Sequence, residues 1–264
     1  MRIVTMLEYD FMRNAFVAGG IVAVISGAVG SFLVLRHLAF AGHALSHVGF
    51  AGATASLLVG VSPLWGLLAF TLAAAIAMGV LGERLRGRDV GIGIVLSLAL
   101  GLGVLFLSLY TAHATQATAI LFGNIFGVGP ETVWVLLGLG LVSSGGLAFI
   151  SRPLLFATLA PELAEAKGVS LRLVSVLFLA IVAVAVSEAA QVVGVLLVFA
   201  LMVGPAAASL RLVVRVPWGV GLAVLLALAE TWVGIALAYV TDWPPTFWIV
   251  LLSCSVYFLS LLRR

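Results

Sequence analysis

The chain has 264 residues, of which 64% are hydrophobic and only 9% are charged, and its mean hydropathy is +1.30. Because a soluble domain carries roughly 25% charged residues, this composition excludes a water-soluble enzyme and a soluble nucleic-acid-binding module. The formal net charge of +3 reflects basic residues that orient a membrane protein, and no nucleic-acid partner is expected. The composition predicts one polytopic membrane domain over residues 1–264.

Apolar runs of spanning length recur along the whole chain. A helix needs about 20 apolar residues to cross the hydrocarbon layer, and these runs lack the period-two alternation of a membrane β-barrel. We therefore predict an all-α transmembrane helical bundle of about eight to nine spans, with residues 113–130 as a short half-helix and loops. The predicted spans are 15–36, 43–60, 63–82, 91–112, 131–150, 172–188, 191–210, 217–239 and 246–262.

The basic residues predict the orientation. With nine spans and an external N-terminus, the inner loops hold eleven of the thirteen basic residues, including the cluster Arg84–Arg88, and only Arg2 and Arg13 stay outside. Cytoplasmic loops carry such an excess of Lys and Arg, so we predict the N-terminus outside and the C-terminus inside. The sequence has no Gly-x-x-x-x-Gly-Lys-Ser/Thr phosphate-binding loop, so any energy source for uphill transport lies on another chain.

The longest predicted inner loop covers residues 151–171 and contains a short helical pattern. A proline suits the first helical turn, acidic residues suit the positive end of the helix dipole, and a glycine suits the C-cap. Two interpretations stay open: a solvated connector, or a surface helix that docks on a cytoplasmic partner. The residues concerned are Pro161, Glu162, Leu163, Glu165 and Gly168, with Leu159 expected on the same face as Leu163.

Two histidines open the second predicted span. His43 and His47 are four residues apart, so on a helix both imidazoles project from one face, and Ser46 lies beside them as a possible supporting donor. Ionisable groups inside a membrane are expensive and usually face a cavity or a pathway. Two imidazoles at this spacing suit zinc and several transition metals. The alternative is structural: an interfacial His43, and a His47 bonded to a carbonyl.

Two histidines alone cannot complete a tetrahedral metal site. Two copies of the chain packed about a two-fold axis can bring four imidazoles together, or water can complete the shell.

Three further polar residues lie in or beside predicted spans. Glu188 and Gln191 flank a predicted helix break at Ser187–Gln191 and can line an entrance, while Glu230 is either a buried structural acid or a pathway group.

Several segments together resemble a known family. His43-Ala-Leu-Ser-His47, followed by Gly49 and Gly52, is similar to its second-helix signature. The run from Gln191 to Ala208 is the most characteristic, and Leu121–Asn124 and Glu162–Gly168 match in order and spacing. The family is the integral-membrane permease of bacterial zinc, manganese and iron ABC transporters, and the similarity extends over nearly the whole chain.

This resemblance implies a homodimer in the bacterial inner membrane, two cytoplasmic ATPase subunits and an external metal-binding protein that delivers the ion. It implies that the chain itself is not an enzyme and holds no permanent cofactor, because the metal is cargo. Residues 161–168 then correspond to the coupling helix that docks on the ATPase. The family typically has an acidic residue where His43 stands. An imidazole there softens the site, so we expect zinc to be favoured, with manganese or iron as the alternatives.

The mechanism implied by the resemblance is alternating access, in which ATP-driven movement of the coupling helices opens and closes membrane gates. Gly204-Pro205 can kink its span and form part of an inner constriction.

Two other classes of membrane protein remain open from the residues alone. A membrane metalloenzyme can use a His-x-x-x-His pair but needs more ligands, and a stand-alone secondary transporter explains Glu230 but not the docking-type loop.

Overall fold

The computed structural model describes residues 6–81, 88–109 and 119–262, and within these ranges the regular structure is entirely helical. The predicted all-α class is therefore confirmed. Short 3-10 turns occupy Met6–Glu8 and Ile125–Gly127. The α-helices are α1 Asp10–Leu35, α2 Ala39–Leu58, α3 Pro63–Leu81, α4 Arg88–Leu109, α5 Pro130–Leu159, α6 Pro161–Ala166, α7 Leu171–Val193, α8 Val198–Leu212, α9 Val216–Thr241 and α10 Pro245–Leu262.

Proline marks the first turn of many of these helices. Its fixed φ fits the helix, and its missing N–H costs nothing at a position where the N–H has no partner inside the helix. The first helical residue is proline in four cases: Pro63, Pro130, Pro161 and Pro245.

Seven helices in the described part of the chain are long and apolar enough to cross a membrane: α1, α3, α4, α5, α7, α9 and α10. Each of the nine predicted spans contains a helix, but α2 and α8 are not both long and apolar enough to be counted among these seven. The helix α8 has only 15 residues. The helix α2 has 20 residues, but its two histidines and its many small residues make it less apolar. A helix surrounded by protein can be less apolar because it does not face lipid.

Two predicted boundaries are wrong. The helix α7 continues through Ser187–Gln191 and ends at Val193, because these residues all tolerate a helix and the first glycine follows only at Gly194. The predicted loop at 151–171 begins too early, because α5 continues to Leu159 with Pro153 inside the helix. Of the predicted half-helix at 113–130, residues 113–118 lie outside the described residues, as do Arg2, Arg84, Arg86, Arg263 and Arg264.

The bundle has a buried centre and a lipid-facing periphery. In the most apolar stretch of α1, 72% of residues are buried, and in that of α7, 61%. The corresponding share is only 17% in α4 and 22% in α10, whose exposed side chains are apolar. The helix α1 contacts α5, α7, α8 and α9. It therefore forms the centre around which the rest of the bundle packs.

The two ends of the bundle are distinguished by their contacts. At one end Tyr9 contacts Tyr239, with ring centroids 6.4 Å apart. At the other end Arg36, which caps α1, donates to the Ser175 hydroxyl near the start of α7 at 2.9 Å. We call the first the Tyr9 end and the second the α6 end, because α6 directly precedes α7.

Glycine lets α2 and α3 cross at backbone contact. A Cβ atom added at Gly52 would overlap the carbonyl oxygen of Gly66, and one added at Gly66 would overlap the carbonyl oxygen of Gly52. Small residues are what allow membrane helices to approach this closely. The crossing fixes the position of α2, which carries the candidate site.

Replacing Gly66 by Ala adds a methyl group at this crossing. We expect the variant to lose about 1–3 kcal/mol of stability, since overpacking forces the two backbones apart. The measurement is the thermal-unfolding midpoint of the purified protein in detergent. Gly138→Ala on α5, where an added methyl meets open space, is the matched control and should leave the midpoint unchanged or slightly higher. Equal midpoints for Gly66→Ala and the parent protein would contradict the close crossing.

Candidate metal site

The candidate site is the pair of histidines on α2. His43 and His47 are one helical turn apart, and the structure places their rings side by side, with centroids 4.7 Å apart and planes at 87°. Both side chains are half-buried. The helix carrying them contacts α1, α3, α4, α7 and α8. The pair therefore lies on a helix that five others contact, with both side chains still partly accessible.

The Nδ1 atoms of both imidazoles are buried, and neither has a hydrogen-bond partner among the described residues. A buried polar atom without a partner costs free energy. A neutral imidazole nitrogen is also the commonest protein ligand for transition metals. The pair thus has the donor chemistry of a metal site and no internal hydrogen bond that competes for these two atoms.

Ser46 does not support the histidines through its hydroxyl. The Ser46 Oγ is buried and donates to the backbone carbonyl of His43 at 2.7 Å. This is a local bond within the helix. The hydroxyl hydrogen is therefore used by the backbone rather than by an imidazole.

No group of three or more His, Cys, Asp or Glu side chains with metal-site geometry occurs among the described residues. Glu188 is fully buried inside α7, where one carboxylate oxygen accepts a hydrogen bond from Ser143 of α5 at 3.2 Å. Glu230 is buried on α9. Neither acid joins the histidines, so among the described residues the candidate site consists of two imidazoles and no carboxylate.

Sequence reasoning missed Phe199 as a neighbour of the site. Its ring lies 5.4 Å from that of His43, at an angle of 78°. Phe199 belongs to the characteristic run from Gln191 to Ala208, but its position beside α2 depends on where α8 begins. Nothing in the spacing of the histidines indicates this contact.

The helix α8 begins inside the bundle, at Val198, because the preceding helix α7 ends at the buried residue Val193. The connection 194–197 is non-helical, and its first two residues, Gly194 and Val195, are buried, as is Val193 before them. The Val195 N–H donates to the carbonyl of Ile120 at 3.1 Å, and the Leu196 N–H donates to that of Leu121 at 3.2 Å. Irregular backbone at membrane depth is tolerated only where protein or a cavity surrounds it. Here residues 120–121 supply the partners.

Two glycines make this backbone pairing possible. Gly123 and Gly194 have φ values of 78° and 86°, which L-residues with side chains rarely adopt. A Cβ atom at Gly194 would overlap the backbone of residues 121–123, and one at Gly123 would overlap Val193. The pairing therefore requires glycine at both positions.

Gly204 and Pro205 lie in the middle of α8. Gly204 packs against Ser253 of α10, and the Ser253 hydroxyl donates to the carbonyl of Ala200 at 2.9 Å. Pro205 is buried inside the helix and has no N–H for the carbonyl four residues earlier. The two residues weaken the regular helix at a point where α10 supports it.

Gln191 lines a small cavity, separate from the histidines, at the Tyr9 end of α7. The cavity has a volume of about 280 Å³, and its polar lining residues include Asn124 and Thr132. Glu188 does not line it, because that residue faces α5 inside the bundle.

The predicted surface helix is present as α6, residues Pro161–Ala166. Gly168 follows its C-cap with a φ of 82°, and its N–H donates to the carbonyl of Glu165 at 2.8 Å. Ala164 faces the protein, whereas Leu163 and both glutamates are exposed. The helix therefore presents an apolar side chain flanked by acids at the α6 end of the bundle.

This fold, with a helix break inside the bundle and a short surface helix between two spans, is that of a membrane permease. The family model of the ABC 3 transport family matches residues 8–264. The chain belongs to this family of metal-uptake ABC transporter permeases, which confirms the resemblance seen in the sequence. It is a permease subunit rather than an enzyme, with ATP hydrolysis on a separate subunit.

Individual relatives are similar to this chain over most of their own length. The manganese transport system membrane protein MntC of Halalkalibacterium halodurans is 29% identical, over 97% of this chain and 88% of its own. The probable metal transport system membrane protein of Treponema pallidum is 32% identical over 96% of both chains. Among solved structures, PsaBC from Streptococcus pneumoniae in complex with Fab gives a TM-score of 0.88 at 26% identity, over 98% of this chain and 93% of that one.

Replacing Gly194 by Ala tests the backbone pairing between residues 120–121 and 195–196. We expect a severe loss of folded protein, because the methyl group meets backbone atoms and the conformation is accessible to glycine alone. The measurement is the monodisperse fraction after purification in detergent. Gly168→Ala is the control: it has a similar φ but open space around it, so it should cost only about 1–2 kcal/mol. Similar yields for both variants would refute the role of the tight pairing.

Proposed function

We propose that two copies of this chain form the membrane pathway of an importer for a divalent transition-metal ion, and that His43 and His47 contact the ion on its way through. The observation that carries the proposal is the pair of adjacent half-buried imidazoles whose Nδ1 atoms have no hydrogen-bond partner among the described residues. Membership of a metal-uptake permease family supports the same conclusion.

The cargo that the donor set favours is zinc. Imidazole nitrogen suits zinc and iron, whereas manganese prefers carboxylate and water oxygens, and no carboxylate joins the pair among the described residues. The names of relatives argue for manganese: MntC is called a manganese transport protein, and ScaB of Streptococcus gordonii a manganese import permease. We propose zinc as the favoured ion, with manganese and iron as competing cargoes, and His43 as the residue that sets the preference.

A second copy of the chain completes the site in this proposal. Two imidazoles leave at least two positions of a tetrahedral ion open, and the symmetric copy or water supplies them. A partly open shell suits a transporter, which must release its ion after binding it.

The two ends of the bundle contact different partners in this proposal. The α6 end faces the cytoplasm, where Pro161, Glu162, Leu163, Glu165 and Gly168 form the coupling helix for the ATPase subunits. The Tyr9 end, including the N-terminus, faces outward and receives the external metal-binding protein. This orientation follows the distribution of Lys and Arg.

The remaining polar and kinked positions have secondary roles in the proposed pathway. Gly204 and Pro205 let α8 bend, so they contribute to an inner constriction when the coupling helices move. Gln191 lines the entrance at the Tyr9 end. Glu188 and Glu230 are buried acids away from the histidines, and we assign them a structural part in the transport cycle rather than ion contact.

Uptake of radioactive zinc and manganese tests the pathway directly. In cells that contain the ATPase and the binding protein, we expect His47→Ala to reduce uptake roughly tenfold or more, because even an outer-shell defect costs 10- to 100-fold in metal affinity. His43→Asp should raise the manganese-to-zinc ratio, since a carboxylate suits manganese better.

The control is His37→Ala, which removes an exposed imidazole from the α1–α2 turn and should transport normally. Membrane levels of all variants are matched by immunoblot. Normal uptake by both His47→Ala and His43→Asp would mean that the pair is not on the pathway.

Leu163→Asp tests the docking role of α6. The charge is placed at the exposed apolar position of the helix, so we expect the permease to fold but to lose its ATPase on co-purification and to lose uptake. Val214→Asp is the control, because Val214 is 99% exposed in the connection between α8 and α9 but outside α6. If Leu163→Asp retained the ATPase as fully as Val214→Asp, docking would not depend on this side chain.

A further inference from the structure

The imidazole pair lacks the usual means of fixing a metal-binding histidine. Such a histidine almost always donates its second ring N–H to a carboxylate or a carbonyl, which sets the ring orientation and raises its basicity. In this protein neither ring nitrogen of His43 or His47 has a hydrogen-bond partner among the described residues, and the Ser46 hydroxyl is bonded to backbone. The orientation of the rings must therefore come from packing.

One aromatic side chain from another helix packs against the pair. The Phe199 ring meets the His43 ring at 5.4 Å and 78°, which is an edge-to-face contact of the favourable kind. His43 in turn contacts His47 at 4.7 Å and 87°. Phe199 thus contacts one member of the pair directly and reaches the other only through His43.

The helix that carries Phe199 is itself held in place next to this residue. The Ser253 hydroxyl of α10 donates to the carbonyl of Ala200, the next residue, at 2.9 Å. On its other side α8 packs against α1, where Gly30 leaves room for the carbonyl of Met202. The Phe199 side chain is nevertheless 40% exposed, so packing in the hydrophobic core does not by itself account for it.

We infer that Phe199 is a positioning residue for the metal pathway, which holds the His43 imidazole in the orientation that lets both histidines bind one ion. The inference rests on the proposed pathway through the pair. An aromatic contact orients a ring without raising its basicity, unlike a carboxylate. The site therefore keeps its geometry but binds the ion less tightly, which favours release to the next position.

Titration with Co²⁺ tests this inference, using the purified permease–ATPase complex without a polyhistidine tag. The readouts are the dissociation constant and the visible ligand-field spectrum. We expect Phe199→Ala to weaken Co²⁺ binding roughly 2- to 10-fold, the range of a lost aromatic pair, and to change the spectrum. Phe199→Tyr keeps the ring and should stay within about twofold. In uptake, Phe199→Ala should raise KM more than it lowers the maximal rate.

Control variants separate the possible outcomes. Phe149→Ala removes an aromatic ring that is 86% exposed on α5 and should bind Co²⁺ normally, while Phe199→Leu keeps apolar bulk and controls for folding through its unfolding midpoint. If His47→Ala abolishes Co²⁺ binding but Phe199→Ala and Phe199→Leu bind like the parent, only the role of Phe199 is overturned. If His47→Ala binds Co²⁺ like the parent, the proposed pathway fails and the inference with it. A loss in Phe199→Tyr equal to that in Phe199→Ala would also overturn it.

Discussion

The structure depends on the rule that a backbone polar group inside a membrane must find a partner within the protein. The chain breaks its helical ladder at residues 194–197, where Gly194 and Val195 are buried, and meets the rule there by pairing with residues 120–121. Gly123 and Gly194 are required because both the backbone angles and the close approach exclude a Cβ atom. Without this break α8 would start elsewhere, and Phe199 would not reach His43.

The candidate site combines a firm scaffold with an incomplete set of ligands. The crossing of Gly52 and Gly66 fixes α2 against α3, while the histidines keep nitrogen atoms without internal partners. A structural zinc site would close all four positions with protein ligands. The proposed site of two imidazoles leaves the shell open, as the release of a transported ion requires, and this agrees with the permease family to which the chain belongs.

Parts of the fold that follow from local rules could be predicted from the sequence. Proline at the first turn and glycine after the last one located α6, and the four-residue spacing placed His43 and His47 on one face. Predictions that depended on partners failed or stayed open. The helix break was expected at Ser187–Gln191 because polar residues there look like an interruption, but Glu188 has a hydrogen-bond partner on α5 and the helix continues.

The sequence by itself determined an all-helical membrane protein, because composition and apolar run length are properties of contiguous residues, and its short motifs carried the resemblance to the metal-uptake ABC permeases. Only the tertiary structure decided that α8 begins inside the bundle, that the Ser46 hydroxyl serves the backbone, and that Phe199 lies beside His43. Phe199 and His43 are far apart in the chain, and their contact depends on how α1, α8 and α10 pack. No local periodicity encodes that distance.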